Sequence, residues 1–143
     1  INQLPSDISL DNITFVETPF NSIWVRDYGP NTVYVNDVDS PYMIDWIYNR
    51  NRPADDTLVP PAIAAILDIP IYETSDCDNN LDLVHTGGNF MNDGMGSAFS
   101  SKLVLDENSL SNNQYGCNYQ TEDDVLSIMD TFMGIDEYVF MEN

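Results

Sequence analysis

Three of the four basic side chains in this 143-residue chain, Arg26, Arg50 and Arg52, lie in one stretch that also holds both tryptophans, Trp24 and Trp46. Arg50-Asn51-Arg52 sets two guanidinium groups two positions apart, and in an extended segment such positions share a face. Both forks can then address one carboxylate or phosphate, which arginine binds through two parallel N–H bonds. The competing assignment pairs them with the nearby acids Asp45, Asp55 or Asp56. Trp24-Val25-Arg26-Asp27-Tyr28-Gly29-Pro30 is the other unusual string. An aromatic ring three residues ahead of a carboxylate, closed by a rigid Gly-Pro turn, suits a planar cation: the ring stacks on its face and Asp27 accepts its N–H bonds. Equally, Trp24 serves as core and Asp27 caps the turn.

Other reactive residue types are few. His85, the single histidine, is followed by Thr86-Gly87 and reads as a strand residue with a structural partner. Cys77 lies between Asp76 and Asp78, whose charge disfavours a thiolate, and Cys117 falls in an expected loop beside Gly116 and Asn118; neither is expected to be a nucleophile. Two cysteines are too few for a disulfide scaffold and lack metal-ligand spacing. The string from Asp76 to Asp82 places oxygen ligands at the first, third, fifth and seventh positions, as in a calcium loop. Leu81 replaces the glycine required at the sixth position and Gly87 the acid at the twelfth. An acidic secreted module binding calcium or arginine termini, without catalysis, is the rival function.

These residues must be held by a scaffold, and the composition says what kind. A 43% hydrophobic content is enough for a packed core, and the length suits about one domain. With 24 acidic against 4 basic side chains the formal charge is −20. That excludes nucleic acid and anionic membrane surfaces as partners and favours cations, arginine-bearing peptides among them. No apolar run approaches the ~18 residues of a membrane span. The chain opens at Ile1 without a starting Met or a signal-like segment, so it is expected to be processed or cut from something longer.

Short strands with two helices among them are predicted. Ile13–Glu17 alternates, and Trp24-Val25 is a short extended piece. Thr32–Asn36 and Tyr42–Tyr48 make a hairpin. A largely buried helix runs from about Thr57 to Leu67, with Asp55 and Asp56 capping it and Pro60 and Pro61 in its first turn. Strands follow at Ile69–Tyr72, Leu81–Val84 and Ser97–Leu105. The helix Glu122–Met133 has a Thr121/Asp124 capping box, an apolar face of Val125, Leu126, Met129, Phe132 and Met133, and a stop at Gly134. Glu137–Met141 closes the chain as a strand. The order strand, strand, helix, strand thus occurs twice, in units of about residues 10–75 and 80–143, as in a repeated architecture.

Four strings in this order, Trp-x-Arg-Asp-Tyr-Gly-Pro, Tyr-Asn-Arg-x-Arg-Pro-x-Asp-Asp, Thr-Gly-Gly-Asn-Phe-x-x-Asp-Gly and Leu-Asp-Glu-Asn, resemble the bacterial, porphyromonad-type peptidylarginine deiminases. That family is related to the agmatine deiminases within the guanidino-group-modifying, or pentein, superfamily. The resemblance implies an α/β fold: a pentein α/β-propeller of five ββαβ modules, of which this chain carries about two. It also implies hydrolysis of arginine to citrulline with release of ammonia, without metal or other cofactor. By position, Asp27 corresponds to the first of two carboxylates that clamp the guanidinium, and Trp24 to an aromatic wall of that pocket. Arg50 and Arg52 correspond to the groups that hold the free carboxylate of a C-terminal arginine, which favours peptide substrates over agmatine. The Gly87-Gly88 pair would let backbone pass close to the pocket or turn sharply there, with Asn89 a neighbour of the site.

Family chemistry also needs a cysteine thiolate, in a Gly-rich string near the C-terminus, and a His-x-Asp pair. Neither is in this sequence. The chain is therefore expected to be the N-terminal part of a catalytic domain more than twice as long, inactive alone, with the rest of that domain as its partner. Its setting is expected to be secreted or cell-surface, or cytoplasmic if the parent acts on agmatine.

Overall fold

The computed structural model describes residues 9–36, 38–50, 54–73, 81–112 and 119–142. Its elements are α1 (Val25–Tyr28), β1 (Asn31–Val35), β2 (Ser40–Asp45), β3 (Ile47–Tyr48), α2 (Val59–Leu67), β4 (Ile71–Glu73), β5 (Val84–His85), β6 (Met91–Asn92), β7 (Ser97–Ser101), α3 (Leu103–Asn108), α4 (Glu122–Met133) and β8 (Glu137–Met141). Single 3-10 turns cover Ala54–Leu58, Gly87–Asn89 and Leu110–Asn112. No helix among the described residues is long and apolar enough to cross a membrane.

The chain is mixed α/β, and its two three-stranded sheets have one topology. In the first, β1 pairs antiparallel with β2 and β2 parallel with β4, with α2 between β2 and β4 in sequence. In the second, β6 pairs antiparallel with β7 and β7 parallel with β8, with α4 between β7 and β8. A parallel neighbour needs a crossover, and a helix supplies it in both sheets. A third, minimal ladder is separate from both: β3 and β5 run parallel, Ile47 opposite Val84 and Tyr48 opposite His85.

The core gathers around α4. Val125, Ile128 and Met129 recur at helical spacing and are all buried, facing Leu83, Phe90, Ala98 and Tyr138. Thr121 and Asp124 form the reciprocal capping box, and Gly134 ends the helix in the left-handed region at φ 63°. Asn108 ties α3 to β5: its amide donates to the Val84 carbonyl at 2.8 Å and accepts from the Val84 N–H at 2.9 Å.

Several local expectations differ from the structure. Ile13–Glu17 joins no strand ladder; no partner edge reaches it among the described residues. Val25–Tyr28 is one turn of helix rather than an extended piece, because long-range contacts hold its two ends. The segment Ser97–Leu105 is strand only to Ser101, after which α3 turns Val104 and Asn108 inward. The helix read from Thr57 begins at Val59, behind a 3-10 turn. It buries one face, through Val59, Pro60 and Ala64, while Ile66 and Leu67 stay exposed. Asp56 does not cap it: its buried carboxylate accepts from the N–H groups of Asn21 at 2.6 Å and Ser22 at 3.0 Å.

Candidate functional site

The turn carrying Trp24 and Asp27 has few local reasons to be rigid, since four helical residues form a single hydrogen-bonded turn with no side-chain cap. Distant residues supply the rigidity. Asp56 fixes its approach at Asn21 and Ser22, the buried Tyr28 hydroxyl donates to the Ser22 carbonyl, and the Ser22 hydroxyl accepts from the Trp24 N–H. The Arg26 guanidinium then reaches across the fold, donating to the carbonyls of Gly87 at 3.0 Å and Phe90 at 3.1 Å. Thr86 Oγ1 donates to the Asp27 carbonyl at 3.3 Å. Arg26 is thus a strap between the two turns that the sequence marks as unusual.

Gly87 and Gly88 are where those turns meet. A Cβ at Gly87 would overlap the Arg26 carbonyl oxygen, and one at Gly88 would overlap Asp27 Oδ1. At both positions it is close approach and not backbone angle that favours glycine: the neighbour is backbone at Gly87 and the end of a side chain at Gly88. The Asp27 carboxylate is half-buried against Gly88, and no donor among the described residues reaches it. Its oxygens are therefore available to an incoming cation. Trp24 is 59% exposed and so is not packed as core.

Arg50 and the Gly87-Gly88 turn, against which Asp27 rests, follow the same end of the β3–β5 ladder. Since β3 and β5 are parallel, the residues after Tyr48 (Asn49 and Arg50) leave on the same side as those after His85 (Thr86, Gly87 and Gly88). Tyr28, next to Asp27, meets Tyr48 edge-on with ring centroids 5.7 Å apart. Ligands in parallel α/β sheets bind at such carboxyl ends of strands. Arg50 does not pair with Asp45, Asp55 or Asp56. Its Nη1 lies 4.0 Å from Glu107 Oε1 and donates to the Asn49 carbonyl at 3.3 Å, and its side chain is 53% exposed.

Arg52, Cys77, Cys117 and the acidic string from Asp76 to Asn80 lie outside the described residues. Asn89 follows Gly88, but its amide is engaged by main chain: Oδ1 accepts from the Ser101 N–H at 3.0 Å and Nδ2 donates to the Ser101 carbonyl at 3.5 Å. His85 is fully buried beside Trp46 and Phe90, and neither ring nitrogen has a hydrogen-bond partner among the described residues. Burial pushes its pKa down to about 4, so it is neutral. No group of three or more His, Cys, Asp or Glu among the described residues is placed to hold a metal ion. Two open grooves, of about 490 and 800 Å³, lie elsewhere, one on the β6-β7-β8 face and one between β1 and the end of α4. Neither is lined by Trp24, Asp27 or Arg50. Sequence reasoning missed Arg26, Asn49 and Glu107; each lies in a motif string, yet only tertiary contact gives it a role.

The profile of the Porphyromonas-type peptidyl-arginine deiminase family matches residues 2–143. The chain belongs to this family. A curated relative from Enterococcus faecalis (strain ATCC 700802 / V583), named as an agmatine deiminase, is 33% identical over an alignment of 112 residues that covers 72% of this chain and 27% of the relative. The solved agmatine deiminase of Enterococcus faecalis is 22% identical with a TM-score of 0.64, over 84% of this chain and 32% of that one. A Porphyromonas gingivalis structure named as an arginine deiminase gives 18% and 0.67, over 88% and 35%. The C. jejuni agmatine deiminase with substrate bound gives 17% and 0.68, over 93% and 37%. These likenesses show the fold of the pentein-family deiminases, hydrolases that act on guanidino groups. The chain spans 27% of the curated relative and about a third of these solved structures.

Proposed function

We propose that this chain forms the guanidinium-holding part of a deiminase that hydrolyses the C-terminal arginine of peptides to citrulline and ammonia. The observation that carries the reading is Asp27, a half-buried carboxylate that no described donor reaches, seated against Gly88 at the same end of the β3–β5 ladder as Arg50. A guanidinium arriving there donates in-plane N–H bonds to Asp27 while the Trp24 indole covers one face. The opposite face of the guanidinium carbon stays open to a nucleophile. Attack at that carbon expels ammonia, and water then releases the ureido product. Arg50, with Arg52, takes the free carboxylate at the other end of the substrate. The repeated sheet topology supports reading the chain as two of five propeller modules, at about residues 10–75 and 80–143. Its span of its relatives supports assigning the thiolate and the His-x-Asp pair to further polypeptide, so the 143 residues alone are without turnover. Secretion or surface display, where arginine-ended peptides are met, fits the acidic coat.

A second reading, hydrolysis of agmatine, is favoured by the names of the Enterococcus faecalis and C. jejuni relatives. Agmatine has no carboxylate and leaves Arg50 nothing to hold. The test is made on the full-length protein with three substrates: a peptide ending in arginine, the same peptide as its amide, and agmatine. Asp27→Asn should lower kcat/KM on all three by at least about a hundredfold with the fold retained, since it removes a charged acceptor from the reacting group. Arg50→Ala should weaken the free acid about tenfold more than the amide, the size of one charge-assisted contact. Equal losses on acid and amide remove the carboxylate clamp. Preference for agmatine, untouched by Arg50→Ala, selects the second reading.

A further inference from the structure

Glu107, with Asp56 and Asp82, is one of the buried acids among the described residues. Most of the described carboxylates face water, whereas Glu107, near the end of α3, is 6% exposed. Buried charge is costly unless it is paired and hydrogen-bonded. Both of its oxygens accept from one group, Asn49 Nδ2, at 2.8 and 3.1 Å, and the Arg50 guanidinium stands 4.0 Å away. Asn49 is itself buried, and its Oδ1 has no hydrogen-bond partner among the described residues. Glu107 is in turn held by its neighbour Asn108, whose amide is locked to Val84 of β5 and to the Val104 carbonyl. An unbroken set of contacts therefore runs from β5, the strand that leads into Gly87-Gly88, through α3, to the base of Arg50.

We infer that Glu107 and Asn49 are positioning residues that aim the Arg50 guanidinium at the substrate carboxylate, and so set the preference for a free C-terminus. The inference rests on the proposed role of Arg50. At 4.0 Å the pair is electrostatic and not a formed hydrogen bond. The fixed charge thus restrains the fork while leaving most of its donors unspent and, with the side chain half in solvent, open to an anion. Asn49 contributes by clamping the carboxylate from the residue next to Arg50, so the restraint and the restrained group share one short segment. A flexible arginine pays rotamer entropy each time it binds; one already directed pays less.

The test uses the full-length protein and compares kcat/KM for a peptide ending in free arginine with that for its amide. Glu107→Gln keeps an oxygen to accept from Asn49 and removes the charge. The acid-to-amide ratio is expected to fall about fivefold, through KM for the acid, with kcat and the amide kinetics unchanged. Glu107→Asp, which keeps the charge but withdraws it, should lower the ratio about twofold. If Glu107→Gln does not accumulate folded, the Asp variant is read alone. An unchanged or increased ratio, or equal losses on both peptides, overturns the inference. Arg50→Ala separates the two layers: if it leaves the ratio intact, the carboxylate role of Arg50 fails. If it collapses the ratio while the Glu107 variants do not, only the positioning role fails.

Discussion

Adjacent glycines make different demands at the meeting of the two turns, and the difference can be measured. At Gly88 an added methyl would run into the end of the Asp27 side chain, which can rotate away. Gly88→Ala should therefore fold but misplace the carboxylate, and displacements of about an ångström cost on the order of a hundredfold in rate. At Gly87 the methyl would meet the Arg26 carbonyl, which belongs to backbone and is held in place by the turn. Gly87→Ala should cost about 1–3 kcal/mol of stability, as overpacking does. Thermal melts together with kcat/KM on the full-length protein decide it. If Gly88→Ala lowers Tm as far as Gly87→Ala and spares turnover, Asp27 is not where the chemistry is held. The close approach at Gly87-Gly88 was legible from sequence, because two adjacent glycines are a local signal of it. Arg26 was not, because its role is to bond carbonyls more than sixty positions away.

Helix α4 and strand β8 were legible to the residue, since a capping box, a 3.6-residue apolar period and a stop glycine are local signals. Helices α1 and α3 were not: one turn and under two turns of helix are too short to be stable by propensity, and tertiary bonds decide them. Strands β2 and β4 raise a separate question of charge, because their parallel register sets Asp45 opposite Glu73. Burial, then the Glu73 charge, pushes the Asp45 pKa up to about 7 from an ordinary 3.8. Between those values the folded state binds the extra proton, so Asp45 costs stability progressively as pH rises from about 4 to about 7. His85 acts oppositely: held neutral with a pKa near 4, it costs stability as pH falls from 6.5 towards 4. The two slopes oppose each other in weakly acidic solution. Asp45→Asn should add on the order of 2 kcal/mol at pH 8 and progressively less towards pH 4. It should also uncover the His85 slope as a steady loss below pH 6.5 in denaturant titrations. A gain that is the same at every pH refutes the burial-driven shift.

A formal charge of −20 acts on every surface of the chain. Mutual repulsion works against compaction and against self-contact, and salt screens both within about 10 Å at 0.1 M. Beneath that coat the outer face of β6, β7 and β8 presents Met91, Phe99, Val139 and Met141 together, all exposed. Expressed alone, the 143-residue polypeptide should self-associate through this face once repulsion is screened, and sedimentation should show its mass rising with NaCl. Phe99→Ser should reduce the effect. A salt-independent monomer with a sharp cooperative melt would show that this face does not stick. The two-residue ladder of β3 and β5 sets a different kind of limit. It binds the seat of Asp27 and the stem of Arg50 to strands about 4.8 Å apart. On the proposed reading it works as a ruler laid along the substrate. Homoarginine, one methylene longer between its charged ends, would overshoot the far mark, so reach as well as charge would decide what is accepted.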